Sequence, residues 1–234
     1  MASIGEASWA DNSGNLTPAA APAWLTPLVE RPNAVKHAYR RRVPADMLAA
    51  LTAANTTAAV TGTRRDADTV GALAGPRARA DLEPCPTPGS GPGPDPLRGI
   101  VLECAGNGSE VDVALALAGR PTVLNLWAYW CGPCADELPA MAEYQRRVGP
   151  EVMVLTVHQD ENETAALLRL AELGVRLPTL QDGRRSIAAA LQVPNVMPAT
   201  VVLRADGSVA EILPRSFATA DEIAEAVNSK IGVG

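Results

Sequence analysis

The sequence predicts an α/β domain with a central mixed β-sheet flanked by helices. Three observations carry this prediction. Apolar residues make up 47% of the 234 positions, enough for a sizeable core. Helix formers and β-branched residues lie in separate blocks, so strands and helices alternate along the chain. From residue 100 onward, short apolar runs are separated by Gly, Pro, Asn and Asp turn signals. One Phe and three Tyr leave the core to Leu, Val, Ile, Ala and a few Trp.

The elements follow in order. Ile100 to Leu102 reads as a strand, Gly106-Asn107-Gly108 as a turn, and Val111 with Val113 as the returning strand of an N-terminal β-hairpin. Pro121 precedes Thr122-Val123-Leu124-Asn125-Leu126-Trp127, an apolar run with the character of a buried strand. A helix follows, with Leu138, Met141 and Tyr144 at three-residue steps and Pro139 expected to kink it. Val152 to Val157 is strand-like, and 164–173 is a helix closed by Gly174. Leu177 to Leu180 reads as a short strand and Ile187 to Leu191 as a short helix. Thr200 to Leu203 and Val209 to Leu213 pair across the turn Asp206-Gly207. Thr219 and Glu222 form a capping box for a last helix whose face carries Ile223, Val227 and Ile231.

Residues 1–80 show little periodicity and are expected to be poorly ordered, with one short helix near 44–54 opened by Pro44. They are expected to be dispensable for chemistry. Residues 81–96 form a Pro/Gly-rich lead-in, with six Pro and three Gly between 84 and 96. The folded domain is expected over 97–234. Residues 1–80 carry nine basic and six acidic groups, and 81–234 carry eleven basic and twenty acidic ones. An acidic folded part excludes a nucleic-acid partner, which needs clustered Lys and Arg. The run Arg40-Arg41-Arg42 reads as a solvated segment. The first basic residue is Arg31, so no secretory signal is visible, and neither long uncharged stretch, 12–29 or 47–63, reads as a spanning helix.

The chemistry lies in Trp130-Cys131-Gly132-Pro133-Cys134, between a strand and a helix. There Cys131 meets the unpaired donors and positive end of the helix, which favour a thiolate, the attacking species in disulfide exchange. Cys134, one turn on, is placed to attack a mixed disulfide. A zinc ribbon would need a second Cys pair or spaced His. Cys85 and Cys104 stand 19 positions apart, and His37 and His158 are isolated, so neither metal nor cofactor is expected.

These residues resemble the thioredoxin superfamily, in its TlpA-like and ResA-like branch, over about 97–232. Pro121 to Cys134 is similar to that branch's strand and active site, and Pro139 to its helix-kinking proline. Val193 to Thr200 resembles its loop before a cis-proline. The resemblance implies a thioredoxin-like fold in which 161–180 supplies an inserted helix-strand element. It implies a thiol-disulfide oxidoreductase with Cys131 and Cys134 as redox pair. Trp130, Gly132, Pro133, Met197 and Pro198 would meet substrate, with Pro198 cis. Minimal thioredoxins carry a buried Asp where this chain has Asn125, and that Asp is thought to take the proton of the resolving thiol. Here the proton would pass to water or another carboxylate.

Since the redox pair must close on itself, Cys85 and Cys104 form the sensible second bridge; two reduced cysteines are the alternative. A structural bridge points to an oxidising, extracytoplasmic compartment, with the protein either free there or held at the membrane. Expected partners are protein disulfides or thiols and a membrane or soluble electron donor. A cytoplasmic reductant and a redox-inert binding module on the same fold remain alternatives.

Overall fold

The structure, a computed structural model, describes residues 68–91 and 93–232. The helix expected near 44–54 and the basic run at Arg40–Arg42 lie outside them. Among the described residues, seven strands form one sheet: β1 (Val101–Cys104), β2 (Glu110–Asp112), β3 (Thr122–Trp127), β4 (Met153–His158), β5 (Thr179–Gln181), β6 (Ala199–Leu203) and β7 (Val209–Leu213). Their spatial order is β2-β1-β5-β4-β3-β6-β7. The helices are α1 (Val70–Ala80), α2 (Val113–Ala116), α3 (Gly132–Val148), α4 (Glu163–Leu173), α5 (Ser186–Ala190) and α6 (Ala220–Ile231).

The parallel core of the sheet comes from two successive crossovers, β3-α3-β4 and β4-α4-β5. β6 returns antiparallel to β3, and β1 lies antiparallel to both β5 and β2. All six residues of β3 are buried, because it has a strand on each edge and helices over each face. The two-residue period sorts them. Val123 and Trp127 pack with Leu138, Met141, Tyr144, Ile223 and Val227 of α3 and α6. Leu124 and Leu126 pack on the opposite face with Val113, Leu117 and Ile187.

Local chemistry sets several ends. Asn162 caps α4 by accepting the Ala165 N–H at 3.2 Å, and Gly174 closes it in the left-handed conformation. Pro178 cannot donate to a ladder, so β5 begins at Thr179 rather than at the expected Leu177. Thr219 accepts the Glu222 N–H at 3.2 Å, but the Glu222 carboxylate turns back to the Ala218 N–H at 2.9 Å, one residue ahead of the cap. Val113 is not strand. The Asp112 carboxylate accepts the Leu115 N–H at 3.1 Å, which ends β2 and starts the one-turn helix α2.

The expected boundary at residue 81 needs correction, because α1 packs on α4. Leu73 and Ala80 are buried against Ala105 and Leu167. Arg77 donates to Glu103, to Glu163 at 2.8 Å and to the Ala105 carbonyl at 3.1 Å. Gly108 makes room for it: a Cβ there would lie 2.5 Å from the Arg77 guanidinium. The Asp68 carboxylate also accepts the Thr164 N–H at 2.8 Å. A domain cut at residue 81 would uncover Leu167 and Ala105.

The lead-in is likewise packed. It is irregular chain with a 3-10 turn at Asp95–Leu97 that buries Leu97. The Gly89 N–H donates to the Leu115 carbonyl at 2.9 Å, and a Cβ on Gly89 would meet the Ala118 oxygen at 2.2 Å.

Leu73→Ala in the full chain should cost about 3 kcal/mol, the usual loss for a buried leucine truncated to a cavity. Arg77→Met should cost a comparable amount, about 3 kcal/mol, by breaking a mostly buried ion pair. Urea unfolding checks both. Midpoints equal to wild type would mean that α1 adds nothing to the fold.

Candidate active site

The buried strand β3 delivers its C-terminal end to the site. The chain passes over Ala128, Tyr129 and Trp130 and enters α3 at Gly132. Cys131 is the N-cap of α3, and its Sγ accepts the Cys134 N–H at 3.2 Å. The two sulfurs are bonded to each other. Cys134 is wholly buried and Cys131 is 6% exposed, so the first cysteine is the one that solvent reaches. Gly132 and Pro133 are exposed on the first turn. On reduction, a thiolate on Cys131 would keep the Cys134 N–H and the positive helix end.

Pro198, buried and joined to Met197 by a cis peptide bond, immediately precedes β6. The register Leu126↔Ala199 sets this end of β6 beside the end of β3. Met197 packs against the apolar cluster that contains both Cys131 and Cys134. Trp130 is 58% exposed and Val196 45% exposed. The structure therefore gathers Trp130, Cys131, Gly132, Pro133, Cys134, Met197 and Pro198 at one end of the sheet.

Cys85 and Cys104 lie elsewhere and are bonded to each other. Cys104, on β1 beside Leu180 of β5, is buried in the cluster on the opposite face of the sheet.

One residue at this end was not singled out from the sequence. Glu137 is buried on α3, one turn beyond Cys134. Its Oε2 accepts from the Asn125 amide at 2.6 Å, and its Oε1 from the Phe217 N–H at 3.1 Å. Burial pushes its carboxyl up from 4.5 to about 7, against those two hydrogen bonds and the charge of Arg215. The Arg215 guanidinium sits 4.2 Å above the Phe217 ring. A signal for Glu137 was present in the sequence. Positions 134, 137, 138, 141 and 144 form one helical stripe, and Glu137 is its single charged member. Asn125, facing it from the middle of β3, fixes the carboxyl without competing for its proton.

Comparison with known proteins agrees with this geometry. The Redoxin family model matches residues 89–227, more than half of the chain. The thiol-disulfide oxidoreductase ResA of Bacillus subtilis is 29% identical over 108 residues, which is 46% of this chain and 59% of ResA. The present chain thus spans less than two thirds of that relative. Thioredoxin 1 of Synechococcus elongatus is 34% identical over 79 residues, 32% of this chain and 70% of that protein. Among solved structures, a secreted Mycobacterium tuberculosis disulfide oxidoreductase homologous to E. coli DsbE aligns with a TM-score of 0.50 at 26% identity. The alignment covers 58% of this chain and 98% of that one. Mycobacterium tuberculosis DsbF gives 0.52 at 24% identity with the same coverages, 58% and 98%, and shares the fold. The chain belongs to the Redoxin family, with a thioredoxin-like fold of the ResA and TlpA type.

Proposed function

We propose that this protein is a thiol-disulfide oxidoreductase acting on protein disulfides or thiols, with Cys131 as nucleophile and Cys134 as resolving thiol. The observation that carries the reading is the asymmetry of the pair. The solvent-facing sulfur caps a 17-residue helix, and the other is sealed beneath it.

In the reducing direction, the Cys131 thiolate attacks one sulfur of a substrate disulfide. The substrate S–S bond breaks and its second sulfur leaves as a thiolate. Cys134 then gives its proton to the Glu137 carboxylate and attacks Cys131 Sγ. The mixed disulfide breaks, and the remaining substrate sulfur leaves and takes up a proton. The substrate gains two electrons as the Cys131–Cys134 bond forms, and the oxidising direction runs the same steps backward. With its carboxyl near 7, Glu137 both accepts and returns a proton at neutral pH. Met197, Pro198, Trp130, Gly132 and Pro133 form the rim over which an extended substrate segment would lie.

We assign the protein to an extracytoplasmic compartment. A bridge outside the redox motif, Cys85–Cys104, suits oxidising surroundings. The secreted mycobacterial relative agrees with that placement. No helix among the described residues is long and apolar enough to cross a membrane. Its redox partner, soluble or membrane-bound, would set the direction of electron flow.

Cys134→Ser should accumulate mixed disulfides with substrate proteins, whereas Cys131→Ser should not. Non-reducing electrophoresis reads the difference, and equal trapping by both variants would reverse or remove the assignment.

Glu137→Gln should slow resolution of the mixed disulfide at pH 7 by about a hundredfold, the scale of a lost proton acceptor. It should also change stability in a definite direction. In the disulfide form the raised carboxyl penalises folding above its folded value of about 7, by about 3 kcal/mol, and not at all below the ordinary 4.5. Wild-type stability should therefore fall between pH 4.5 and 7 relative to Glu137→Gln. Parallel urea curves across that range would show that Glu137 is not held protonated.

A further inference from the structure

The residues just ahead of Cys131 are held by the turn that follows β4. The Gln159 N–H donates to the Trp127 carbonyl at 2.9 Å. The Trp130 indole N–H donates to Asp160 Oδ2 at 3.0 Å. Arg169 Nε, from α4, donates to the Tyr129 carbonyl at 3.4 Å. The fourth contact comes from His158, the last residue of β4, paired in register with Trp127. Its ring is fully buried, with centroids 5.0 Å from Trp127 and 6.0 Å from Tyr129. Its Nε2 lies 3.4 Å from the Tyr129 N–H.

The proton on this imidazole can be located by donor and acceptor logic alone. The Asp160 carbonyl can only accept, so the Gln181 atom 2.6 Å from it is the amide nitrogen. Gln181 Oε1 therefore faces His158 Nδ1, at 2.9 Å. That oxygen can only accept, so Nδ1 carries the hydrogen. Nε2 is left with a lone pair, which the Tyr129 N–H requires. The hydrogen-bond chain Asp160–Gln181–His158–Tyr129 has one consistent polarity, and it demands a neutral ring.

We propose that His158 is a positioning residue for the redox loop and an acid-sensitive latch on it. The neutral Nδ1–H tautomer holds Tyr129. A proton on Nε2 would set N–H against N–H and release Tyr129, one of the four contacts on the segment that carries Trp130 and Cys131. This inference rests on Cys131 being the exchanging thiol.

The surroundings set where the latch opens. Asp160 faces the ring from its own turn and Asp68 from ahead of α1, and both favour the charged form, as does the bond to Gln181. Burial beside Trp127 and Tyr129 outweighs them and holds the ring below the usual histidine range. Arg169 approaches the same loop through the Tyr129 carbonyl, and Arg185 through Gln159 at 3.2 Å. The latch is therefore closed at neutral pH. With the folded value depressed, its contribution is complete above the unfolded histidine value of about 6.5 and is lost as pH falls through the folded one.

Ring nitrogen NMR of the oxidised full-length protein tests the latch directly. The chain has two histidines, His37 and His158, and His158→Gln assigns the pair. The expected result is an Nδ1-protonated His158 that titrates below the ordinary histidine value of about 6.5, with the Trp130 indole N–H signal moving at the same midpoint. An Nε2-protonated ring, or a Trp130 signal indifferent to that midpoint, would overturn the proposal.

Exchange kinetics supply the second arm. His158→Phe keeps the ring shape without nitrogens, and at pH 7 Cys131 should react roughly fivefold to tenfold more slowly, the scale of one lost hydrogen bond. Its acid limb should follow the cysteine alone. His158→Gln, whose side-chain oxygen can reach the Nε2 position, should restore most of the rate while still lacking the histidine limb. Identical pH profiles for His158→Phe and wild type would overturn the latch. A wild-type protein that exchanges no disulfides would overturn the proposed function instead, and the NMR arm would still decide the tautomer.

Discussion

The structure depends on one junction, where the buried strand β3 becomes the helix α3. A strand with hydrogen-bonded neighbours on both edges cannot slide, because each one-residue shift would turn Leu124 and Leu126 toward the wrong face. The position of Cys131 is fixed by that register. Four residues past the strand, its sulfur takes the place of a capping oxygen on the α3 terminus. The same atom thus caps the helix and belongs to the redox pair, and its chemistry follows from that position. A sulfur that accepts a backbone N–H in the disulfide can hold negative charge there after reduction.

Buried polar groups cluster around this junction, and each is costly unless its partners are complete. Glu137 has two donors yet is still driven toward the protonated form. His158 has one donor and one acceptor and is driven toward the neutral form. Burial therefore acts on both groups in the same sense, by removing charge. A carboxyl and an imidazole that burial drives toward their neutral forms add less fixed field to a nearby thiolate than charged groups would. Arg77, with Glu103 and Glu163, braces α1 against β1 and α4.

What the sequence made legible divides along the range of the interactions involved. The strands and long helices followed from local period and punctuation, because their burial is continuous along the chain. The segment Glu110-Val111-Asp112-Val113 alternates like a strand, yet the Asp112 side chain finds the Leu115 N–H and winds Val113 into a helix. Helix α1 was not legible. It contains Gly71, Gly75 and Pro76, and it buries only Leu73 and Ala80. It is held by Arg77, whose partners stand 26 and 86 residues away. His158 likewise looked isolated, since its hydrogen-bond partners Tyr129 and Gln181 lie 29 and 23 positions off in opposite directions. Glu137 is the different case, a charge set within an apolar stripe that period alone displays.

That stripe also accounts for Asn125, which first reads as a loss. A carboxylate on the central strand would serve a thiol on the helix only through packing between two elements. Here the carboxylate and Cys134 share α3, one turn apart, so the helix itself fixes their spacing. The strand supplies the complementary part. Asn125 donates to Glu137 Oε2, and its amide has no titratable proton of its own. In the proposed mechanism the arrangement separates the moving proton from the group that orients its acceptor. A second carboxylate at position 125 would merge those roles. Two acids within hydrogen-bond reach would share one proton and titrate as a pair, and the higher of their two values would move away from neutrality.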